Sequence, residues 1–154
     1  MAKPGVKKAA PVRKPRAAPA PAAAPIAADV VQPVANPERG EHELKLAGIT
    51  YRLRPSHTAL KSIERKTERA TLRLVHLGNA GDLSIEMLGV IAGELIRAGA
   101  EEKDVFTRNV SDDRVGELIL EEGLPVATSR LTLCLLDAAT GGRDASGEAK
   151  AATA

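Results

Sequence analysis

The chain has 154 residues and a mass of 16.1 kDa, a length typical of one folded domain with tails. Hydrophobic residues make up 44% of it but aromatic residues only 1%, which argues against a stacking platform for nucleic-acid bases. The single cysteine, Cys134, excludes an internal disulfide framework and a cysteine-based metal cluster. No apolar run approaches the roughly 20 residues of a membrane helix, and the basic start lacks the apolar stretch of a secretory signal. We therefore expect a cytoplasmic protein without membrane contact.

Residues 1–36 are predicted to form a disordered basic arm rich in Pro, Ala and Lys. Eight of the ten prolines fall in residues 1–37, and they block helices and sheet ladders. All charged side chains in residues 1–16 are positive, namely Lys3, Lys7, Lys8, Arg13, Lys14 and Arg16. Three interpretations stay open for this arm: a solubilising extension, weak contact of these cations with nucleic-acid phosphates, or a tether for an acidic partner.

The rest of the chain is predicted to contain one globular domain, residues 37–142, and a short disordered tail, residues 143–154. Residues 1–40 carry seven positive and two negative side chains, a net charge of +5. Residues 41–154 carry fifteen positive and eighteen negative side chains, a net charge of −3. The overall charge of +2 is therefore the average of a basic arm and a mildly acidic body.

A β-hairpin is predicted at the start of the domain, because apolar and charged residues alternate on both sides of Ala47 and Gly48. A two-residue loop at these positions gives the cross-strand pairs Leu46–Ile49, Leu44–Tyr51, Glu43–Arg52 and Glu41–Arg54. The apolar pairs share one face and the charged pairs the other, so two independent patterns favour the same register. His42 continues the apolar face and is expected to be half-buried. An isolated hairpin is marginal, so its apolar face should lie on helices.

Everything after Pro55 is predicted to be helical, with five segments. They are a helix starting near Ser56–Thr58, a short piece closed by residues 78–81, a helix capped by Ser84 and ended by Gly99, a helix capped by Ser111 or Asp112 and closed by Gly123, and a last helix running from Pro125 to residues 141–142. Residues 100–110 are expected to form a polar link. The fold class is thus α+β and mostly α, with an N-terminal β-hairpin packed on about five short helices.

The last helix is apolar around most of its circumference. One apolar face carries Leu124, Ala127, Leu131, Leu135 and Ala138, and a second carries Val126, Leu133 and Leu136. Such a helix is either buried in the middle of a fold or covered by a partner. We therefore predict that the second face, Val126, Leu133 and Leu136, binds a partner.

Gly89 and Gly93 form a Gly-xxx-Gly step within the third helix. Glycine is unfavourable inside a helix by about 1 kcal/mol, so the close approach of another helix is a reasonable compensation. That neighbour is either another helix of the same chain or a second subunit, which leaves a homo-oligomer open.

No catalytic or metal-binding constellation is recognised. Three serines stand at predicted helix starts, where capping explains them, and Cys134 lies among leucines, where a core role is expected. The histidines are His42, His57 and His76, and none has a neighbouring ligand at metal-binding spacing. The sequence therefore predicts a protein that is not an enzyme and holds neither a metal nor a cofactor.

The order of several short motifs resembles the gene transfer agent family of small phage-tail proteins. Its members typically begin with Asn-x-x-Arg-Gly-Glu, continue with a Leu-rich hairpin around a glycine turn, and then carry Ala-Leu-x-x-Ile/Leu-Glu-x-x-Thr in a helix. The corresponding strings here are Asn36-Pro37-Glu38-Arg39-Gly40-Glu41, the hairpin, and Ala59-Leu60-Lys61-Ser62-Ile63-Glu64-Arg65-Lys66-Thr67. The resemblance covers roughly residues 36–142. Two departures are Glu68, where the family has glycine, and the long basic arm.

The resemblance implies a non-catalytic tail assembly chaperone. Such a protein would bind the tape measure protein, assist assembly of tail-tube subunits around it, act in the cytoplasm of the bacterial host, and be absent from the mature particle. Two alternatives remain: a structural tail component, such as a tube or connector subunit, and a nucleic-acid-binding protein acting weakly through the arm.

Overall fold

The structure, a computed structural model, describes residues 32–141 and 144–146. Its elements are a 3-10 turn Pro37–Arg39, strands β1 (His42–Leu46) and β2 (Ile49–Leu53), and helices α1 (His57–Thr67), α2 (Thr71–Ala80), α3 (Ile85–Gly99), α4 (Val105–Arg108), α5 (Asp112–Glu122) and α6 (Leu124–Ala139). The predicted fold class is confirmed: the described chain is mostly helical, with one antiparallel hairpin at its N-terminal side.

The hairpin has the predicted register. Its pairs are His42–Leu53, Glu43–Arg52, Leu44–Tyr51, Lys45–Thr50 and Leu46–Ile49. The turn residues Ala47 and Gly48 have positive φ angles of 49° and 80°, which suits the tight turn that matches strand twist. Leu44, Leu46 and Leu53 are buried, so the hairpin presents its apolar face to the helices.

Helix α3 is the centre of the fold. It packs against α1, α5, α6 and β2. One side of the helix is buried and carries Leu88, Ile91, Ala92, Leu95 and Ile96. The neighbouring helices contribute Ile63, Leu74, Ile119, Leu131 and Leu135 to the same core. Aliphatic side chains thus fill the interior, as the composition requires.

Serine caps begin three of the helices, as predicted. The side chains of Ser56, Ser84 and Ser111 accept hydrogen bonds from the backbone N–H groups of Ala59, Met87 and Arg114. Each bond satisfies a donor that the first helical turn leaves without a partner inside the helix. These three serines are therefore structural.

Two helix predictions need correction. The predicted polar link contains the short helix α4, which Asp104 caps by accepting a hydrogen bond from the N–H of Thr107. Helix α2 continues through Gly78 and ends at Gly81, whose positive φ angle of 76° suits a helix end. The charged composition of residues 100–110 gave no sign of α4, and Gly78 was interpreted as the end of α2.

Described contacts extend beyond both predicted boundaries of the domain, into residues 32–36 and 144–146. Gln32 Nε2 donates to Asp104 Oδ2 at 3.4 Å, and the Asn36 N–H donates to Oε2 of the buried Glu41 at 2.9 Å. At the other end, the His57 N–H donates to the carbonyl of Ala145 at 2.9 Å. The disorder predicted for residues 1–31, 143 and 147–154 lies outside the described residues.

Candidate functional site

Helix α6 begins at a sharp change of chain direction. Gly123 has a φ angle of 117°, a conformation that favours glycine, and it closes α5 through a hydrogen bond from its N–H to the Ile119 carbonyl. Pro125 lies in the first turn of α6, where its missing N–H costs nothing. The Gly-x-Pro sequence therefore separates α5 from α6 with no linker between them.

One face of α6 belongs to the core. Ala127, Leu131, Cys134 and Leu135 are buried, and the last three have no measurable exposure. Helix α2 packs closely on this side, because a methyl group at Gly78 would collide with the side chain of Thr132. These contacts fix the rotation of α6 about its own axis.

The opposite face of α6 is apolar and exposed. Val126, Leu133 and Leu136, the predicted partner-binding residues, retain 56%, 50% and 40% of their accessible surface. Val126 and Leu133 are seven residues apart and Leu136 lies three further along, so helical geometry places them on one side. We call these three residues the outer α6 face. Within the part of the chain that the structure describes, the outer α6 face is therefore exposed and not part of the core.

A polar contact holds the C-terminal end of α6 against the hairpin. His42 Nε2 lies 3.3 Å from Asp137 Oδ2, and the side chain of His42 is 23% exposed. The half-buried position predicted for this histidine is thus confirmed. The outer α6 face is therefore displayed by a helix that is held at its start, along its length and near its end.

A cluster of four charges joins α1, α3 and α5. Lys66 Nζ lies 2.7 Å from both Glu94 Oε1 and Asp112 Oδ2, and Arg97 Nη2 lies 2.9 Å and 2.6 Å from the same two carboxylates. Arg97 also donates to the Val110 carbonyl at 2.6 Å. Each cation thus contacts both carboxylates, so we call this the four-charge cluster and interpret it as a structural clamp.

The four-charge cluster changes the pKa of its members. Burial alone would raise the pKa of Glu94, but hydrogen bonds from Lys66 and Ser62 outweigh it and leave that pKa below its ordinary value. Burial would likewise raise the pKa of Asp112, and hydrogen bonds from Lys66 and Arg97 lower it instead. Both carboxylates are therefore held in their charged form.

Other candidate residues are separated in the structure. Cys134 is buried in the core, as predicted. The three histidines lie on β1, α1 and α2, and the described residues contain no group of three or more His, Cys, Asp or Glu side chains able to hold a metal. The predicted phosphate-contacting residues Lys3, Lys7, Lys8, Arg13, Lys14 and Arg16 lie outside the described residues.

Sequence reasoning missed several exposed apolar side chains. Val105 and Phe106 on α4 are largely exposed, and their adjacency within a polar link was the available signal. Ile85 and Leu120 are exposed on α3 and α5. The apolar stripe that the sequence predicts for α5 is Val115, Leu118 and Ile119, and Leu120 lies outside it, which was the signal there.

Comparisons of the chain with protein-family models, with curated proteins and with solved structures found no match. Within residues 32–141 and 144–146, no helix is both long enough and apolar enough to cross a membrane. The fold and the site together define a small, mostly helical α+β protein with an exposed apolar helix face.

Proposed function

We propose that this protein is a non-catalytic tail assembly chaperone of a phage or gene transfer agent. It binds the tape measure protein through the outer α6 face and assists assembly of the tail tube around that partner. It acts in the cytoplasm of the bacterial host and is absent from the finished particle.

The observation that carries this proposal is the outer α6 face itself. Val126, Leu133 and Leu136 stay in water although the same helix supplies Leu131 and Leu135 to the core. Covering each exposed side chain would contribute about 1 kcal/mol, so three on one face support a docking surface for an apolar helix. The resemblance to the gene transfer agent family is the reason for proposing the tape measure protein as the partner.

The test is co-expression with the tape measure protein encoded in the same gene neighbourhood. We expect this chain to keep the partner soluble and to elute with it. Leu133→Asp combined with Leu136→Asp should abolish co-elution, because the charges prevent burial of the face.

Leu72→Asp is the matched control. Leu72 is an exposed leucine on α2, with 61% of its surface accessible, so the chemical change is the same at a different place. Partner binding should survive this control. If the double variant still binds, or if the wild-type chain leaves the partner insoluble, the proposal is wrong.

The composition of purified particles separates the chaperone from a structural tail component. A chaperone leaves the assembly, so this chain should be missing from mature tails. Its presence there in stoichiometric amounts would favour the structural alternative.

A further inference from the structure

A shallow groove of about 570 Å³ runs along the outer side of the α3–α5 pair. The apolar residues lining it are Ile85, Val90 and Leu120, with exposed fractions of 41% for Ile85 and 60% for Leu120. The acidic residues that line the same groove are Glu86, Asp112, Asp113 and Glu117. It is distinct from the outer α6 face, and it shares only Asp112 with the four-charge cluster.

The charge of the groove is only partly balanced. Among the described residues, Asp112 pairs with Lys66 and Arg97, and Glu117 pairs with Arg114 at 2.7 Å. Glu86 and Asp113 take part in no ion pair there. No lysine or arginine lines the groove. An occupant with small apolar groups and several positive charges would therefore match both its apolar and its acidic residues.

The chain carries such a segment in its own arm. Residues 3–16 contain six positive and no negative side chains, separated by Pro, Val and Ala residues. We propose that residues 3–16 dock in the α3–α5 groove of the same molecule, with their cations beside Glu86 and Asp113 and their apolar groups against Ile85 and Leu120.

The geometry of the attachment point permits this docking within one molecule. Described structure begins at Gln32, whose side chain donates to Asp104. Asp112 lines the groove and is eight residues from Asp104 in the sequence. Eight residues span at most about 30 Å, so the groove begins within that distance of Asp104. The sixteen residues from Arg16 to Gln32 can span up to about 55 Å, which is enough to reach it.

A spin label on the arm tests the proposal in the full-length chain. Because Cys134 is buried, the Ala10→Cys variant can be labelled at position 10 alone. We expect the label to broaden the amide NMR signals of Val90 and Leu120 and to leave that of Leu133 sharp. Uniform broadening, or none at Val90 and Leu120, would overturn the proposal.

Charge reversal identifies the contacts. Glu86→Lys with Asp113→Lys should abolish the selective broadening, whereas Glu101→Lys with Glu102→Lys, an equal change of net charge at exposed residues elsewhere, should preserve it. If both double variants lose the selective broadening equally, the arm is attracted to the acidic domain as a whole, and the proposed docking in the groove is wrong.

A charge swap guards against a variant that merely perturbs the helices. Lys7→Glu with Lys8→Glu in the arm should also abolish the broadening, and combining these changes with Glu86→Lys and Asp113→Lys should restore it. Failure of this restoration would contradict the proposed pairing. Raising the salt from 0.1 M to 1 M should weaken the broadening, since the screening length falls from about 10 Å to about 3 Å.

Mixing experiments distinguish docking within one molecule from docking between copies. Isotope-labelled chain without a spin label is combined with spin-labelled chain without isotope. Sharp signals at Val90 and Leu120 in this mixture support docking within the molecule. Broadened signals would place the arm in the groove of a second copy and overturn the intramolecular assignment.

Discussion

Gly89 of α3 meets Gly116 of α5 where the two helices cross. A methyl group built on Gly89 would lie 2.7 Å from the carbonyl oxygen of Asp112 and 3.3 Å from the Cα of Gly116. The helix that packs closely against Gly89 is therefore α5 of the same chain. That close approach also brings Asp112 within reach of Arg97, which completes the four-charge cluster.

Alanine at the two glycines of this crossing should have opposite effects. Gly89→Ala forces α3 and α5 apart, because the colliding atoms belong to the backbone, and should lower the free energy of unfolding by about 2 kcal/mol. Gly116→Ala places its methyl 3.7 Å from the nearest atom, an ordinary contact, and gains up to about 1 kcal/mol of helix propensity. Urea denaturation of the two variants measures both effects. Equal destabilisation would contradict the observed packing.

Glycine in place of Glu68 should stabilise the protein. Glu68 ends α1 with a φ angle of 54°, a left-handed conformation that is unfavourable for a residue with a Cβ atom. Glu68→Gly should therefore raise the free energy of unfolding by about 0.5–1 kcal/mol. Glu68→Ala is the control, since it removes the charge but keeps the Cβ atom, and no comparable gain is expected. Thermal melts at neutral pH compare the three proteins.

Stability should fall as the solution is acidified. The folded-state pKa values of Glu94 and Asp112 lie below their ordinary values, so these groups contribute stability above about pH 5 that is lost as the pH falls through and below their ordinary values. Glu94→Gln with Asp112→Asn should flatten the decline in melting temperature between neutral and acidic pH. Glu101→Gln with Glu102→Gln, two exposed carboxylates, should keep the decline steep. An unchanged slope in the first variant would assign acid sensitivity to other groups.

Aspartate should be tolerated on one side of α6 and not on the other. Leu133 is half exposed, so Leu133→Asp should change the free energy of unfolding by less than about 1 kcal/mol. Leu131 lies two residues away and is fully buried, so Leu131→Asp should prevent folding because it places a charge in the core. Circular dichroism and thermal melts separate the two outcomes. Unfolding by Leu133→Asp would show that the outer α6 face is part of the core.

Local signals in the sequence were sufficient for the hairpin and the helix starts. The register followed from two patterns that agreed, the apolar pair Leu44–Tyr51 and the charged pair Glu43–Arg52. Serine caps are equally local, since Ser84 bonds a backbone group only three residues away. Such features depend on neighbours in sequence and can therefore be predicted without knowledge of the tertiary fold.

Long-range features could not be predicted in the same way. The contact between Lys66 and Asp112 spans forty-six residues, and no local pattern indicates that their helices converge. The sequence likewise showed two apolar faces on α6, but only the packing of α2 and α3 decides which face is buried. The charge that remains at the α3–α5 groove depends on the same convergence.

Helix α6 contributes one side to the core and exposes the other to solvent. A ligand that binds the exposed side therefore also stabilises the folded state. An occupant that binds only the folded chain adds about 2.7 kcal/mol to the free energy of unfolding at a concentration one hundred times its Kd. The melting temperature of this protein should therefore rise when a ligand covers Val126, Leu133 and Leu136. Peptides derived from a partner can therefore be screened by measuring the melting temperature of this protein in the presence of each one.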